Sequence, residues 1–318
     1  MRRAFLFLAT LLMAACTSSG APSGTSDAPT GQGHEQGPPS ASRFLAALRH
    51  VRVGNTPHWI VTFSRSRAAL IANGGTRDGH AYVRAIDVGN EPADLPQLDI
   101  IGSHAETALT VVIDQQITVA LTGFDTSRIA PALAGLRLKG ERKANGTLYR
   151  PRPGSPLGLV DFVRLHDGEV HFGYRGGRWS VLDARPTDSL GAQPDVAAVV
   201  SCLGDPLAGE VVEGFHHPNV RRVAIGTSGS AGAPAVDTLC AATASDAQAR
   251  ALAAHVQEKF RTDAVSRNDL RWSDLLSDPR AEVLGGPQHV VRLTGQPKIG
   301  GAGALFEHLR DLVSLFGP

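Results

Sequence analysis

A serine among small residues is the first feature of the chain that could do chemistry. Ser228 stands in residues 226–230, which read GTSGS. A serine hydroxyl becomes a nucleophile when a histidine base and an orienting carboxylate lie beside it. The pattern G-x-S-x-G of hydrolase nucleophile elbows is not met, because Ser230 occupies its fifth place. Ser228 is therefore a candidate nucleophile without an identified base.

The same five residues resemble the nucleophile loop of chymotrypsin-like serine proteases, in which Gly-x-Ser-Gly precedes a glycine or serine. That resemblance implies a histidine in an Ala-Ala-His-Cys-like context, which this chain lacks. A loop of small residues between two strands accounts for the segment without catalysis. Hydrolysis by Ser228, or by one of the histidines, is accordingly an alternative hypothesis.

Two histidines in sequence suggest a metal site. His216 and His217 follow Glu210 and Glu213, and all four have metal-ligating side chains. Adjacent side chains on a strand point to opposite faces, and the helical motif H-E-x-x-H is absent. We therefore expect surface or loop histidines, with no metal and no cofactor.

A second group of ionisable residues surrounds a predicted turn. His166, Asp167, Glu169 and His171 lie within six residues, and Asp167-Gly168 is a strong hairpin-turn signal. Glu169 and His171 are two apart and share one face of a strand, which suits a polar pair. The turn alone explains Asp167, so a functional site at these residues is the alternative interpretation and a simple polar turn the main one.

A glycine-rich segment and several arginine pairs are two further candidate sites for binding an anion. Residues 300–303 read GGAG before the last predicted helix, and glycines at a helix start can cradle an anion. The spacing matches neither a dinucleotide-binding fingerprint nor a P-loop, so a flexible connection is the simpler interpretation. Small basic groups suit anionic headgroups or a solvated surface; they are Arg150 with Arg152, Arg175 with Arg178, and Arg221 with Arg222.

The N-terminus predicts a location. Arg2 and Arg3 precede an apolar run at residues 4–15, which is too short for a membrane-spanning helix of roughly 20 residues. The run ends Leu12-Met13-Ala14-Ala15-Cys16, which resembles the lipobox of bacterial lipoproteins. The resemblance covers residues 1–16 and implies cleavage before Cys16 and acylation of its thiol. An ordinary signal peptide cut near Ala15 is the alternative.

Residues 17–42 are almost entirely small, polar, Gly or Pro and predict a disordered tether. Such a chain has an r.m.s. span of roughly 30 Å. Together with the signal peptide at residues 1–15, this predicts a protein held on the extracytoplasmic face of the cell membrane. The predicted partner is the lipid bilayer through acylated Cys16. A formal net charge of +1 argues against nucleic acid, and a protein or small-molecule partner is not identified.

Beyond Cys16, the chain contains only Cys202 and Cys240. An even pair in an oxidising compartment predicts a disulfide, and two buried free thiols are the alternative.

Apolar runs and turn signals predict alternating hairpins and helices. The predicted hairpins are 107–113 with 117–123, 162–165 with 169–174, 220–226 with 235–243, and 281–284 with 289–293. The predicted helices include 127–136, 195–203, one from Ser245, and 304–316, and further strands are expected at 58–63, 81–88 and 179–182. This order predicts an α+β fold of antiparallel sheets with helices on one face.

Two subdomains are expected, at residues 43–190 and 191–318. A distant duplication of a ββα-ββ unit is an open alternative. Because no catalytic or metal constellation stands out, the leading functional prediction is a non-enzymatic binding or interaction module of the cell envelope. A carrier of an apolar ligand is the other alternative.

Overall fold

One antiparallel sheet contains all the described strands. The computed structural model describes residues 42–72, 95, 98, 100, 102–136, 138–144, 146–157, 159–166, 168–213, 217–262, 264–265, 271–298, 302–307 and 312–317. The 12 strands are β1 Trp59–Ser64, β2 Ala108–Ile113, β3 Gln116–Thr122, β4 Lys139–Lys143, β5 Gly146–Arg150, β6 Val160–His166, β7 Glu169–Tyr174, β8 Ala208–Val212, β9 Arg222–Ser228, β10 Val236–Ala242, β11 Leu276–Val283 and β12 Val290–Pro297. Their order is β11-β12-β10-β9-β8-β1-β2-β3-β7-β6-β5-β4. The predicted α+β class with antiparallel pairing is confirmed.

Helices cover both faces of this sheet. They are α1 Arg43–Leu48, α2 Ser66–Ala72, α3 Thr126–Gly135, α4 Pro194–Cys202, α5 Asp246–Arg261, α6 Trp272–Leu275, α7 Ala304–Glu307 and α8 Leu312–Phe316, with 3-10 turns at Gly102–His104, Trp179–Leu182 and Leu190–Ala192. On β9, Ala224 packs with α4, whereas its neighbours Val223 and Ile225 pack with α5. The expectation of helices on one face is therefore wrong, because these central strands are apolar on both sides.

Local sequence signals form the hairpin β2–β3 and the helix α5. Asp114 and Gln115 both have positive φ (46° and 72°) and make a two-residue turn, one residue shorter than predicted. Ser245 Oγ accepts a hydrogen bond from Gln248 N at 3.2 Å, so the predicted N-terminal cap of α5 is confirmed. The predicted apolar stripe of this helix is buried.

Several predicted elements differ from the structure. Residues 179–182, expected as a strand, form a 3-10 turn, and the expected helix 304–316 contains α7 and α8, with 308–311 outside the described residues. The expected strand 81–88 also lies outside the described residues. The strands β4 and β8 were not predicted.

The connectivity of the sheet occurs twice. In the first half, α1 precedes the meander β1-β2-β3, α3 follows, and β7 and β6 then extend the sheet beyond β3. In the second half, α4 precedes β8-β9-β10, α5 follows, and β12 and β11 extend the sheet beyond β10. The first half additionally has α2 between β1 and β2 and the hairpin β4–β5, and the second half additionally has α6 before β11. The two predicted subdomains share one sheet, because β1 pairs with β8.

A disulfide joins Cys202 at the end of α4 to Cys240 on β10, with a Cα–Cα distance of 6.2 Å. Cys240 is fully buried. The bond lies in the core between α4 and the sheet, which also contains Phe44, Phe63 and Val200. This is the predicted pairing.

Candidate functional site

A cavity of about 320 Å³ lies against the sheet in the first half of the chain. Two rows of side chains cross β2, β3, β7 and β6 on the face that carries α1. Their members are Leu109, Ala120, His171 and Arg164 in one row, and Thr122, Glu169 and His166 in the other, which Thr107 extends just before β2 through its backbone hydrogen bond with Thr122. Because paired residues of an antiparallel sheet point to the same side, register alone brings these groups together. We call this cavity the β6–β7 pocket.

Two segments close the sides of the β6–β7 pocket. Ala47 and His50 come from the end of α1, and Leu182, Asp183 and Ala184 come from the 3-10 turn Trp179–Leu182 and its continuation. A backbone hydrogen bond from Ala184 N to His50 O, at 3.1 Å, joins these segments to each other. The pocket is therefore framed by the sheet and two mutually bonded segments, without a contribution from the second half.

Arg164 is the most deeply buried charge of the pocket, at 2 % exposure. Its Nη1 donates to Asp183 Oδ1 at 3.1 Å, and its guanidinium carbon lies 5.3 Å from the ring centroid of Trp179. A buried guanidinium is tolerated when a carboxylate neutralises it and a ring face covers it. About a quarter of the Asp183 side chain is exposed, so the Asp183 carboxylate is the part of this ion pair that is accessible from the cavity.

His171 and Glu169 form the polar pair that their spacing predicts. His171 Nε2 lies 2.8 Å from Glu169 Oε2, and the His171 side chain is 7 % exposed. Its Nδ1 is buried and has no hydrogen-bond partner among the described residues. Because a carboxylate can only accept, Nε2 is the donor of this hydrogen bond. This hydrogen bond lowers the pKa of Glu169, while burial opposes it.

Two threonines at the end of the pocket leave one hydroxyl hydrogen available. Thr107 and Thr122 Oγ1 atoms are 2.7 Å apart, and Thr122 Oγ1 also accepts from Thr107 N at 3.1 Å. Only one hydroxyl hydrogen is used between the two side chains, whichever of them donates. The other hydrogen has no acceptor among the described residues and is available to a ligand or water.

Of the sequence candidates around the turn, the structure places His166, Glu169 and His171 at the pocket, while Asp167 lies outside the described residues. Sequence reasoning missed Arg164, Asp183 and His50. A charged residue between the apolar Val163 and Leu165 of a predicted strand was a sequence feature that could have identified Arg164. Tertiary folding brings His50 and Asp183 to the pocket, and no local sequence pattern identifies them.

Ser228 ends β9 and pairs with Val236. Five strand-to-strand steps separate β9 from β7 in the sheet, a distance of about 24 Å, which places Ser228 beyond hydrogen-bonding reach of His171. Among the described residues, Ser228 has no hydrogen bond to a histidine. The structure does not unite it with the residues of the β6–β7 pocket.

Gly303, the described glycine before α7, donates a hydrogen bond to a carboxyl group of the chain itself. Asp237 on β10 is fully buried, and its carboxylate accepts from Gly303 N at 2.8 Å and from Leu305 N at 3.3 Å. Burial raises the pKa of Asp237, and these backbone hydrogen bonds oppose the rise. Gly300 and Gly301 lie outside the described residues. The two described backbone donors, Gly303 N and Leu305 N, therefore already have Asp237 as their acceptor.

The described part of the chain contains no group of three or more residues able to hold a metal ion. His216 lies outside it. Glu213 pairs with Arg222 at 3.0 Å, and burial together with neighbouring His255 lowers the pKa of His217. Arg222 also pairs with Asp195 at 3.3 Å, so this member of the predicted basic groups is structural.

Glu210 lies on β8 between Thr62 and Ile225 of the adjacent strands, and burial raises its pKa to about 7. Its folded-state pKa exceeds the ordinary value of 4.5, so the folded protein binds more protons than the unfolded chain as pH rises from about 4.5 to 7, and stability falls across that range. Glu210→Gln should therefore raise the free energy of unfolding by about 3 kcal/mol at pH 8 and by less than about 1 kcal/mol at pH 5.

Urea denaturation at both pH values measures this difference. Glu258→Gln is the control, because Glu258 is an exposed helix carboxylate paired with Arg261. An equal gain for Glu210→Gln at pH 5 and pH 8 would contradict the burial of an ionised carboxylate.

Comparison of the chain with models of known protein families, with curated proteins and with solved structures found no match. Within the described residues, no helix has the length and apolar character needed to cross a membrane.

Proposed function

We propose that this protein is a lipid-anchored, extracytoplasmic binding protein and that the β6–β7 pocket is its ligand site. Cys16 would be the acylated residue and residues 17–42 the tether to the cell membrane. An acyl chain contributes about 0.8 kcal/mol for each buried CH2, so two or three chains hold the protein durably. The function is non-enzymatic in this proposal.

One observation carries the assignment of the pocket. Its sheet face brings a buried arginine, a buried histidine and a glutamate beside a cavity, whereas the same face under α4 is filled by apolar side chains. Buried polar groups cost free energy unless they are hydrogen bonded, and His171 Nδ1 has no partner among the described residues. Such a cluster is typical of a ligand site. The polar groups favour a polar ligand over the alternative of an apolar one.

The repeated connectivity supports the division of the chain into units 43–190 and 191–318 and a common origin of the two. On this proposal, the first unit keeps an open cavity on the α1 face. In the second unit the corresponding face is covered by α4 and tied to it by the disulfide. Ligand binding would then belong to the first unit and rigid support to the second.

Native mass spectrometry of residues 17–318, produced in an oxidising host, tests the binding function. We expect a co-purifying small mass that leaves on denaturation. Ala47→Trp should abolish it, because Ala47 lines the pocket from the partly exposed surface of α1 and an indole would occupy the cavity. Ala46→Trp is the matched control, since Ala46 is exposed and does not line the pocket.

Retention of the ligand by Ala47→Trp would place the binding site elsewhere, and a bare mass for the parent protein would contradict the proposal. In the full chain, Cys16→Ser should release the protein from the membrane fraction. Continued membrane association of that variant would contradict the anchor.

A further inference from the structure

We infer that the ligand of the β6–β7 pocket is a small aliphatic amine, bound as its ammonium ion by Glu169 and Asp183. This inference rests on the proposed function, because it names the chemical class that the proposed site would take. It follows from the charges, the unused acceptors and the apolar lining of the cavity.

The fixed charges of the pocket leave one negative charge. Arg164 and Asp183 neutralise each other through the 3.1 Å ion pair. Glu169 is the remaining carboxylate, and the hydrogen bond from His171 stabilises its ionised form. This fixed negative charge favours a cation over an anion.

The unused polar atoms are mainly acceptors. Glu169 uses Oε2 for His171 and Asp183 uses Oδ1 for Arg164, while Glu169 Oε1 and Asp183 Oδ2 have no hydrogen-bond partner in the described parts of the chain. The two side chains are 41 % and 27 % exposed, and both line the cavity. An ammonium group has three donors and no acceptor, and it matches these two carboxylate oxygens.

The rest of the lining is aliphatic. Ala47, Leu109, Ala120 and Leu182 provide the apolar surface, and the 320 Å³ cavity has room for about ten heavy atoms at about 30 Å³ each. A short alkyl chain fits this surface, and its burial adds affinity in proportion to its apolar area. A ligand with one charged end and a short alkyl body satisfies both parts of the pocket.

An anionic ligand fits these groups less well. The guanidinium of Arg164 is buried, paired with Asp183 and covered by Trp179, so it offers little surface to an anion. Within the described residues, the histidines and Glu169 do not form a group suited to a metal ion. The ammonium ion is thus the cation that the geometry favours.

Saturation-transfer NMR titration of residues 17–318 with pentan-1-amine, pentan-1-ol and pentanoate at pH 7 tests the inference. We expect the amine to bind at least tenfold more tightly than the alcohol, and pentanoate to bind more weakly than either. Glu169→Gln should weaken amine binding at least tenfold and alcohol binding by a much smaller factor, because only the amine loses a charge–charge interaction. Glu141→Gln is the matched control, because Glu141 is an exposed glutamate on β4, outside the pocket, paired with Lys143.

A salt titration of the parent protein keeps the test independent of any variant. Amine affinity should fall with added salt while alcohol affinity stays constant, because salt screens only the charged interaction. Equal or tighter binding of the alcohol or pentanoate, blocked by Ala47→Trp, would overturn the amine inference and leave the proposed function intact. Absence of binding by all three probes, together with a bare native mass, would overturn both.

Discussion

Replacing both Cys202 and Cys240 by alanine is expected to lower the free energy of unfolding by about 4 kcal/mol. The disulfide closes a loop with a sequence separation of 38 residues, and the chain-entropy model gives about 3.9 kcal/mol for a loop of that length. Because Cys240 is fully buried in the core under α4, loss of its sulfur also removes packing contacts. Urea denaturation followed by circular dichroism measures the effect.

Reduction of the parent protein should produce most of the same loss without any substitution. Ser201→Ala is the matched control, because Ser201 is the exposed neighbour of Cys202 on α4 and its change should alter stability by less than about 0.5 kcal/mol. Identical denaturation midpoints for the oxidised and reduced parent protein would show that the disulfide does not restrain the unfolded chain.

Asp237→Ala is expected to destabilise the protein by about 2–4 kcal/mol. The variant leaves Gly303 N and Leu305 N buried without their acceptor, and each unsatisfied buried donor costs about 1–3 kcal/mol. Removing the carboxylate also removes the cost of burying its charge. The loss in free energy of unfolding therefore stays below the summed cost of two unsatisfied donors. Asp237→Asn keeps one acceptor oxygen and should lose less.

Urea denaturation of the two variants tests this order. The control is Asp246→Ala, because Asp246 is a half-buried surface residue of α5 paired with Arg250, and surface ion pairs contribute about 0–1 kcal/mol. A smaller loss for Asp237→Ala than for Asp246→Ala would mean that the start of α7 does not depend on Asp237.

Local chemistry allowed much of the secondary structure to be predicted. Two adjacent β-branched runs produced β2 and β3, and Ser245 with Gln248 produced the start of α5. The strand β8 was missed because its sequence, AGEVV, contains a glycine and an acidic residue and shows little strand character by itself. It forms because β1 and β9 supply hydrogen-bonding partners on both sides.

The candidate site was predicted only in part, for a related reason. Glu169 and His171 are two residues apart, so strand periodicity alone places them on one face. Arg164 and Asp183 are 19 residues apart, and the pair depends on the position of the Trp179–Leu182 turn against the sheet. No local pattern encodes such a contact.

The sequence by itself determined the hairpins, the helix starts and the pairing of the two remaining cysteines, because each depends on neighbouring residues or on counting. The membrane address stays a prediction from residues 1–16. The tertiary structure decided the single sheet joined through β1 and β8, the covering of both faces, and the meeting of α1, β6 and β7 around one cavity. These features depend on which distant apolar surfaces bury each other, and that free energy is gained only when the whole chain is folded.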